Sequence, residues 1–402
     1  MNEVNVVMPS ASGNATPAVP LRRGAVDRFP YLPALDGLRG LLVFPVVLYH
    51  FTFFGEVLGY RVAVGSYLAP SMFFTLSGFL ITSLILIEHR KSDTVNWGAF
   101  WNRRFRRLIP GSVAVVAFAV IVGLLFSRAW PAVPVSDVAA SLFSFKNWQS
   151  VHLESTHQGL RNLGPLGPYW SLAVEEQFYV GLSLLVWVST RFRAWRTVLS
   201  FGLITIGTFS ILRMILLDGT VTRVFFGTDV RASELVSGCL LALVIERYGW
   251  PRHKIFHAVG WVSLLLTVCA WAFLSETSSF IVGGGLALAS FLNIGLICAA
   301  TQSSTAFVKA FSWKPLVELG KISYPAYLIH WPVTILLKTS ITGLSGWPLV
   351  LLCFVVTIAL AVPLAYIIEA PIRKQRILRG WKFFALWGAI NAVLIAIAMS
   401  AR

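Results

Sequence analysis

The feature that most constrains this chain is a series of apolar runs, each close to the roughly 20 residues a helix needs to cross a bilayer core. They fall at about 36–54, 68–87, 110–127, 169–189, 197–217, 231–246, 257–275, 280–300, 322–340, 347–368 and 381–400. A soluble fold has no use for such repetition. Charged residues make up only 12% of the chain, about half the share usual in soluble domains, and mean hydropathy is +0.74. Many of the 15 Trp and 29 Phe flank the runs, as interfacial aromatic belts do. The shorter run 133–145, after Pro131 and Pro134, reads as a re-entrant or interfacial piece. The expected fold is all-α, a polytopic transmembrane bundle of about eleven helices.

The net charge of +16 would suggest nucleic acid in a soluble protein. Here no basic groove-reading motif accompanies it, so no nucleic-acid partner is expected, and the basic residues read as topology signals. With the N-terminus in the cytoplasm and eleven crossings, inside loops hold 23 of the 33 Lys and Arg and outside loops hold nine. The clusters RRFRR at 103–107, RFRAWR at 191–196 and RKQRILRGWK at 373–382 all fall inside. Counting 133–145 as a crossing would place most of the later clusters outside. The C-terminus is therefore expected outside. Cys239, Cys269, Cys298 and Cys353 lie in apolar segments at no metal-ligand spacing. They read as buried hydrophobes, and no metal is expected. Residues 1–30 read as a disordered cytoplasmic tail, 31–373 as the membrane core and 374–402 as an additional C-terminal transmembrane helix.

Ionisable residues inside spans are costly and point to function. The first span, LDGLRGLLVFPVVLYHF, carries Asp36, Arg39 and His50. Arg39 and His50 are eleven residues apart, which puts them on one helical face roughly 16 Å apart along the axis, with a bend expected at Pro45. The plainer reading is a snorkelling arginine and a structural histidine. The second span carries FFTLSGFLIT, where Ser77 and Gly78 either line a pathway or allow close helix packing. The third starts FWNRRFRRLIP; Arg103, Arg104 and Arg107 suit phosphates or anionic lipid. Glu175 and Glu176 lie 100° apart on the next span, so they cannot share one pathway. Tyr324, Tyr327 and His330 follow in KISYPAYLIHWPV, His330 as a second catalytic candidate or a packing and lining residue. Asp229, Arg231 and Glu234 are explained by pairing among themselves. No internal repeat of the transporter type is evident.

The motifs LDGLRG followed by His50, FFTLSGFLIT, FWNRRFRRLIP, WSLAVEEQFY, RASELVSG, LGKISYPAYLIHWP and IEAPIRK occur in this order over about residues 31–373. In this the chain resembles the acyltransferase-3 family of integral membrane O-acyltransferases. That family has ten core helices, often followed by an eleventh leading to an extracytoplasmic hydrolase-like domain; here the resemblance implies a standalone form without that domain. It implies transfer of an acyl group, commonly acetyl, from acyl-coenzyme A to a hydroxyl in the bacterial cytoplasmic membrane. Acyl-CoA is then a co-substrate and no cofactor is bound. Arg39 and His50 match the family's arginine and catalytic histidine, and Arg103, Arg104 and Arg107 its donor-binding arginines. Phe73, Phe74, Ser77 and Gly78 match its double-Phe, Ser-Gly motif. Glu175 and Tyr179 match residues of its Trp-Ser-Leu motif, which also contains Trp170.

From depth along the spans, the arginines are expected at the cytoplasmic end, with His50, Ser77 and Glu175 together in the outer half. His50 would act as general base or as a transient acyl carrier. Glu175 would orient it, since Asp36 is about 21 Å away along the same helix. Phe73, Phe74, Ser77, Gly78, Trp170, Tyr179, Tyr324, Tyr327 and His330 would line the substrate path. The expected acceptor is a cell-envelope glycan or glycolipid; a small molecule such as a macrolide is the alternative. A separate partner protein could complete the transfer. A transporter or flippase of a polar substrate is the rival class.

Overall fold

The computed structural model describes residues 28–52, 62–126, 133–155, 164–216, 221–275 and 278–400, so most of the expected tail, 1–27, lies outside the described residues. Among the described residues there are helices and no strands. In chain order they are α1 (Pro33–Thr52), α2 (Ala69–Ser92), α3 (Trp97–Leu125), α4 (Val135–Leu142), α5 (Lys146–Ser155), α6 (Tyr169–Ser189), α7 (Trp195–Leu216), α8 (Val221–Phe226) and α9 (Thr228–Tyr248). There follow α10 (Ile255–Phe273), α11 (Leu286–Ala300), α12 (Ala306–Phe311), α13 (Lys314–Lys321), α14 (Ser323–Leu336), α15 (Thr339–Thr342), α16 (Gly346–Pro363), α17 (Ala370–Arg373) and α18 (Trp381–Ser400).

Among the described residues, nine helical stretches are long and apolar enough to cross a membrane. Two other expected spans are helical but differ in kind. α9 has the length, yet carries Asp229, Arg231, Glu234, Glu246 and Arg247. α14 has 14 residues, roughly 21 Å of helix, short of the ~30 Å hydrocarbon core. The segment 133–145 is no span: it forms the 8-residue helix α4 and the turn that leads into α5.

Burial orders the helices. In the most apolar window, 67% of residues are buried in α1 and in α2 but only 17% in α10 and 22% in α18. The first two form the centre and the last two present apolar side chains outward, as lipid-facing helices do. Cys239, Cys298 and Cys353 are buried as expected, but Cys269 is exposed, because it sits on the outward side of α10.

α1 runs between two apolar clusters. Leu38, Leu42 and Val46, four residues apart along one face, pack into a cluster with α2, α6, α7, α9 and α11. Val43, Val47 and Phe51, about 140° around the helix, pack into a second cluster with α3, α14, α16 and α18. Tyr324 and Tyr327 of α14 touch both clusters. The candidate functional residues lie along this seam.

Two close approaches fix the seam's walls. α2 crosses α9 where Gly78 and Gly238 meet: a Cβ on Gly78 would lie 2.0 Å from the Leu235 carbonyl oxygen, and one on Gly238 1.9 Å from that of Thr75. Gly78 is thus a packing residue and does not line the site, because its missing side chain is filled by backbone. Likewise Gly37 and Gly40 of the LDGLRG motif face the backbone of Phe311 and Leu316, and Gly320 of α13 faces that of Asp36.

Candidate active site

Two adjoining cavities follow the seam, each of about 90 Å³, room for several water molecules. Four helices step from one to the other. On α1, Arg39 lines the first cavity and Val46, Tyr49 and His50 the second. Just before α2, Tyr67 lines the second, and on α2 Phe73, Phe74, Ser77 and Leu80 line the first. Entering α6, Gly167, Pro168 and Trp170 line the second, then Ser171, Glu175 and Tyr179 the first. On α14, Tyr324 lines the first and Trp331 the second. Pro70 and Tyr327 line both.

The first is an arginine cavity. Arg104 and Arg107 reach it from α3 beside Arg39. Arg39 has Asp36 at 3.7 Å on its own helix. The Arg104 guanidinium stands 5.1 Å over the Tyr179 ring. The Tyr179 hydroxyl donates to Glu175 Oε2 at 3.2 Å and shares a hydrogen bond with Ser77 Oγ. Tyr324 closes the wall by donating to the Leu108 carbonyl at 2.7 Å.

Depth counting therefore misplaced two residues. Ser77 and Glu175 do not join His50; they lie with the arginines. The reason is geometric: Glu175 is six residues into α6, roughly 9 Å past its start, and the start of that helix is what lines the histidine cavity. Glu176, 100° away, accepts from Ser144 instead. The arginine cluster also divides. Arg103 is more than half exposed and pairs with Glu88 at 2.9 Å, so it does not line the cavity. Arg106 is buried, donates to the carbonyls of Leu378 and Gly380 at 2.7 and 3.2 Å, and covers the Phe383 ring at 4.7 Å. It ties the linker before α18 to α3.

The second cavity is aromatic. Tyr49 and Trp331 meet the His50 ring edge-on at 5.2 and 5.1 Å, and Trp170 packs on Phe226 at 5.1 Å. His50 Nδ1 lies 2.8 Å from the Val46 carbonyl and 3.2 Å from His330 Nε2. His330 Nδ1 is hydrogen-bonded to the Tyr327 carbonyl. A carbonyl only accepts, so each Nδ1 carries the hydrogen. His330 Nε2 then accepts a share of the His50 Nδ1–H, and His50 Nε2 is the basic nitrogen. The tie to His50 expected from Glu175 is made by His330, which is fully buried.

Arg231 and Glu234 pair with each other as the sequence suggested; their full burial and the rings around them were not evident from it. They lie 3.0 Å apart behind the wall of both cavities, with Ser71 donating to Glu234 at 2.7 Å. The Arg231 guanidinium stacks 5.1 Å from Phe74 and 5.5 Å from Trp170. Charges three residues apart within an apolar run were the available signal. Tyr49, Tyr67, Phe225 and Phe226 carried none, being aromatic residues in an aromatic-rich chain. Among the described residues no group of three His, Cys, Asp or Glu side chains is placed to hold a metal ion.

A family model described as an acyltransferase domain matches residues 32–366, a range that takes in both cavities. The chain is similar to the peptidoglycan O-acetyltransferase OatA of Listeria monocytogenes, 33% identical over 88% of this chain and 58% of that protein. It is 30% identical to the O-acetyltransferase OatA of Staphylococcus aureus, with the same coverage. It is 33% identical to the putative peptidoglycan O-acetyltransferase YrhL of Bacillus subtilis, over 86% of this chain and 55% of that one. The chain thus spans rather more than half the length of these relatives. No solved structure matches it. With its helical membrane architecture, its ordered motifs and a match over most of its length, the chain belongs to the acyltransferase-3 family of integral membrane O-acyltransferases.

Proposed function

We propose that this protein transfers an acetyl group from cytoplasmic acetyl-CoA to a hydroxyl of a cell-envelope glycan, peptidoglycan by analogy with its named relatives. The observation that carries this reading is the adjacency of an arginine cavity and a histidine cavity along one seam. The coenzyme is polyanionic, and its phosphates suit Arg39, Arg104 and Arg107, which line one cavity together. The pantetheine arm follows the seam toward Tyr327. On the other side, the aromatic walls of the histidine cavity suit the apolar faces of sugar rings and leave His50 Nε2 as the base.

In the step, the acceptor O–H proton passes to His50 Nε2 while the hydroxyl oxygen bonds to the thioester carbonyl carbon. Collapse of the tetrahedral intermediate breaks the C–S bond, and the departing thiolate takes the proton from His50. Val46 and His330 hold the tautomer throughout.

The test is radiolabelled acetyl-CoA added to proteoliposomes with soluble peptidoglycan oligosaccharide, product being identified by mass spectrometry. Wild type is expected to give O-acetylated oligosaccharide and His50→Ala none, although the variant inserts normally. Full transfer by His50→Ala would overturn the mechanism; movement of oligosaccharide without covalent change would point to a transporter.

A further inference from the structure

We propose that Tyr327 is the specificity-determining residue of the transfer: with Pro70 it forms the partition at which the thioester meets His50, and it confines the acyl group to a short chain. This deepens the reading above and rests on it.

Among the described residues, Tyr327 and Pro70 are the two that line both cavities. An acyl thioester arriving from the arginine side must pass them to reach the base. The tyrosine ring is not free to swing aside. Its hydroxyl donates to the Pro168 carbonyl at 3.2 Å and shares a 2.8 Å hydrogen bond with Ser171 Oγ, both at the start of α6. Its own carbonyl is held by His330 Nδ1. Its ring lies 5.5 Å from that of His330. On the opposite side, Pro70 sits next to Ser71, which is anchored to the buried Glu234. The wall is fixed at both edges.

Two consequences follow. Once the thioester carbon is at the partition, the acyl tail extends into the same small aromatic cavity that must admit the acceptor, so each added methylene competes with it. The partition also separates the thioester from water in the histidine cavity until an acceptor displaces that water. Without it, acyl-CoA and water would give free carboxylic acid and coenzyme A thiol.

The experiment compares full-length wild type, Tyr327→Phe and Tyr327→Ala in proteoliposomes. Each is supplied with acetyl-, butanoyl- or hexanoyl-CoA, with and without soluble peptidoglycan oligosaccharide. Transfer is read by mass spectrometry and thiol release by a chromogenic disulfide. Tyr327→Phe keeps the ring and loses the hydroxyl's bonds to Pro168 and Ser171; Tyr327→Ala removes the wall. In Tyr327→Ala the preference for acetyl over hexanoyl should fall roughly tenfold, with acceptor-independent thiol release rising by a similar factor. Tyr327→Phe should shift both in the same direction by less. A gain in either readout cannot come from misfolding. Unchanged chain preference with no added hydrolysis overturns the proposal. So does equal loss of all three acyl transfers in both variants, which would make Tyr327 part of the chemistry itself. If wild type transfers nothing from any of the three donors, the proposed function fails, and that outcome is distinct.

Discussion

The tie between the two histidines is open to a direct kinetic test. His330→Leu removes the acceptor that His50 Nδ1–H meets at 3.2 Å and leaves the 2.8 Å bond to Val46 intact. One neutral hydrogen bond contributes about 0.5–1.5 kcal/mol, which corresponds to a loss of roughly two- to tenfold in kcat. That is well short of the 10²–10⁴ or so that a general base supplies, and which His50→Ala should forfeit. His330 does not line the arginine cavity, so KM for acetyl-CoA should hold. His330→Gln, whose amide oxygen can accept in place of Nε2, should recover most of the lost rate. The assay is initial-rate acetyl transfer in proteoliposomes at saturating acceptor, with acetyl-CoA varied. A His330→Leu variant as inactive as His50→Ala would refute the assignment, because His330 would then be handling the proton itself. A matching rise in KM would refute it as well, by showing that the substitution acts through the donor site.

Three other outcomes are expected. Arg107→Gln should raise KM for acetyl-CoA by roughly tenfold, the scale of one charge-assisted contact, while Arg103→Gln should leave it unchanged because Arg103 faces Glu88; saturation kinetics on the two variants separate them. Gly78→Leu should destabilise the bundle by about 3 kcal/mol or more, since the backbone of α9 stands where the side chain would go, and the melting temperature in detergent should fall accordingly. Lys146 and Asp137 form a buried pair at 2.8 Å bridged by Gln149; Asp137→Asn alone should cost about 3 kcal/mol, whereas replacing both by apolar residues of similar size should restore much of it, as thermal unfolding of the single and double variants will show.

How much of this was legible beforehand differs from residue to residue. Apolar runs of bilayer length announce spans because the chain cannot satisfy its backbone polar groups in lipid except as helices. That logic is local, and among the described residues helices long and apolar enough to cross form where it expects them, at α1, α2, α3, α6, α7, α10, α11, α16 and α18. It was less informative for α9 and α14, where charge or brevity shows that the helix depends on its neighbours. Arg39 and His50 could be linked from their eleven-residue spacing, because both lie on one helix and the geometry of a single helix is known in advance. Glu175 could not be placed relative to His50 in the same way. They sit on different helices, and half a helical turn of rotation or a few ångströms of shift between α1 and α6 decides which cavity a side chain enters.

The sequence by itself determined that this is a helical membrane protein, that it belongs with acyl-transferring relatives, and which arginines and histidines were worth following. Those conclusions depend on composition, periodicity and motif order, each readable along one segment. Only the tertiary structure decided how the arginine cluster is shared out between cavity, surface and the C-terminal linker. Only it paired His330 with His50, from positions 280 residues apart, moved Glu175 to the arginine cavity, and brought Pro70 and Tyr327 together where the two cavities meet. Those relations arise from helix packing, where glycine contacts such as Gly78 against Gly238 set the distances, and no single segment carries them.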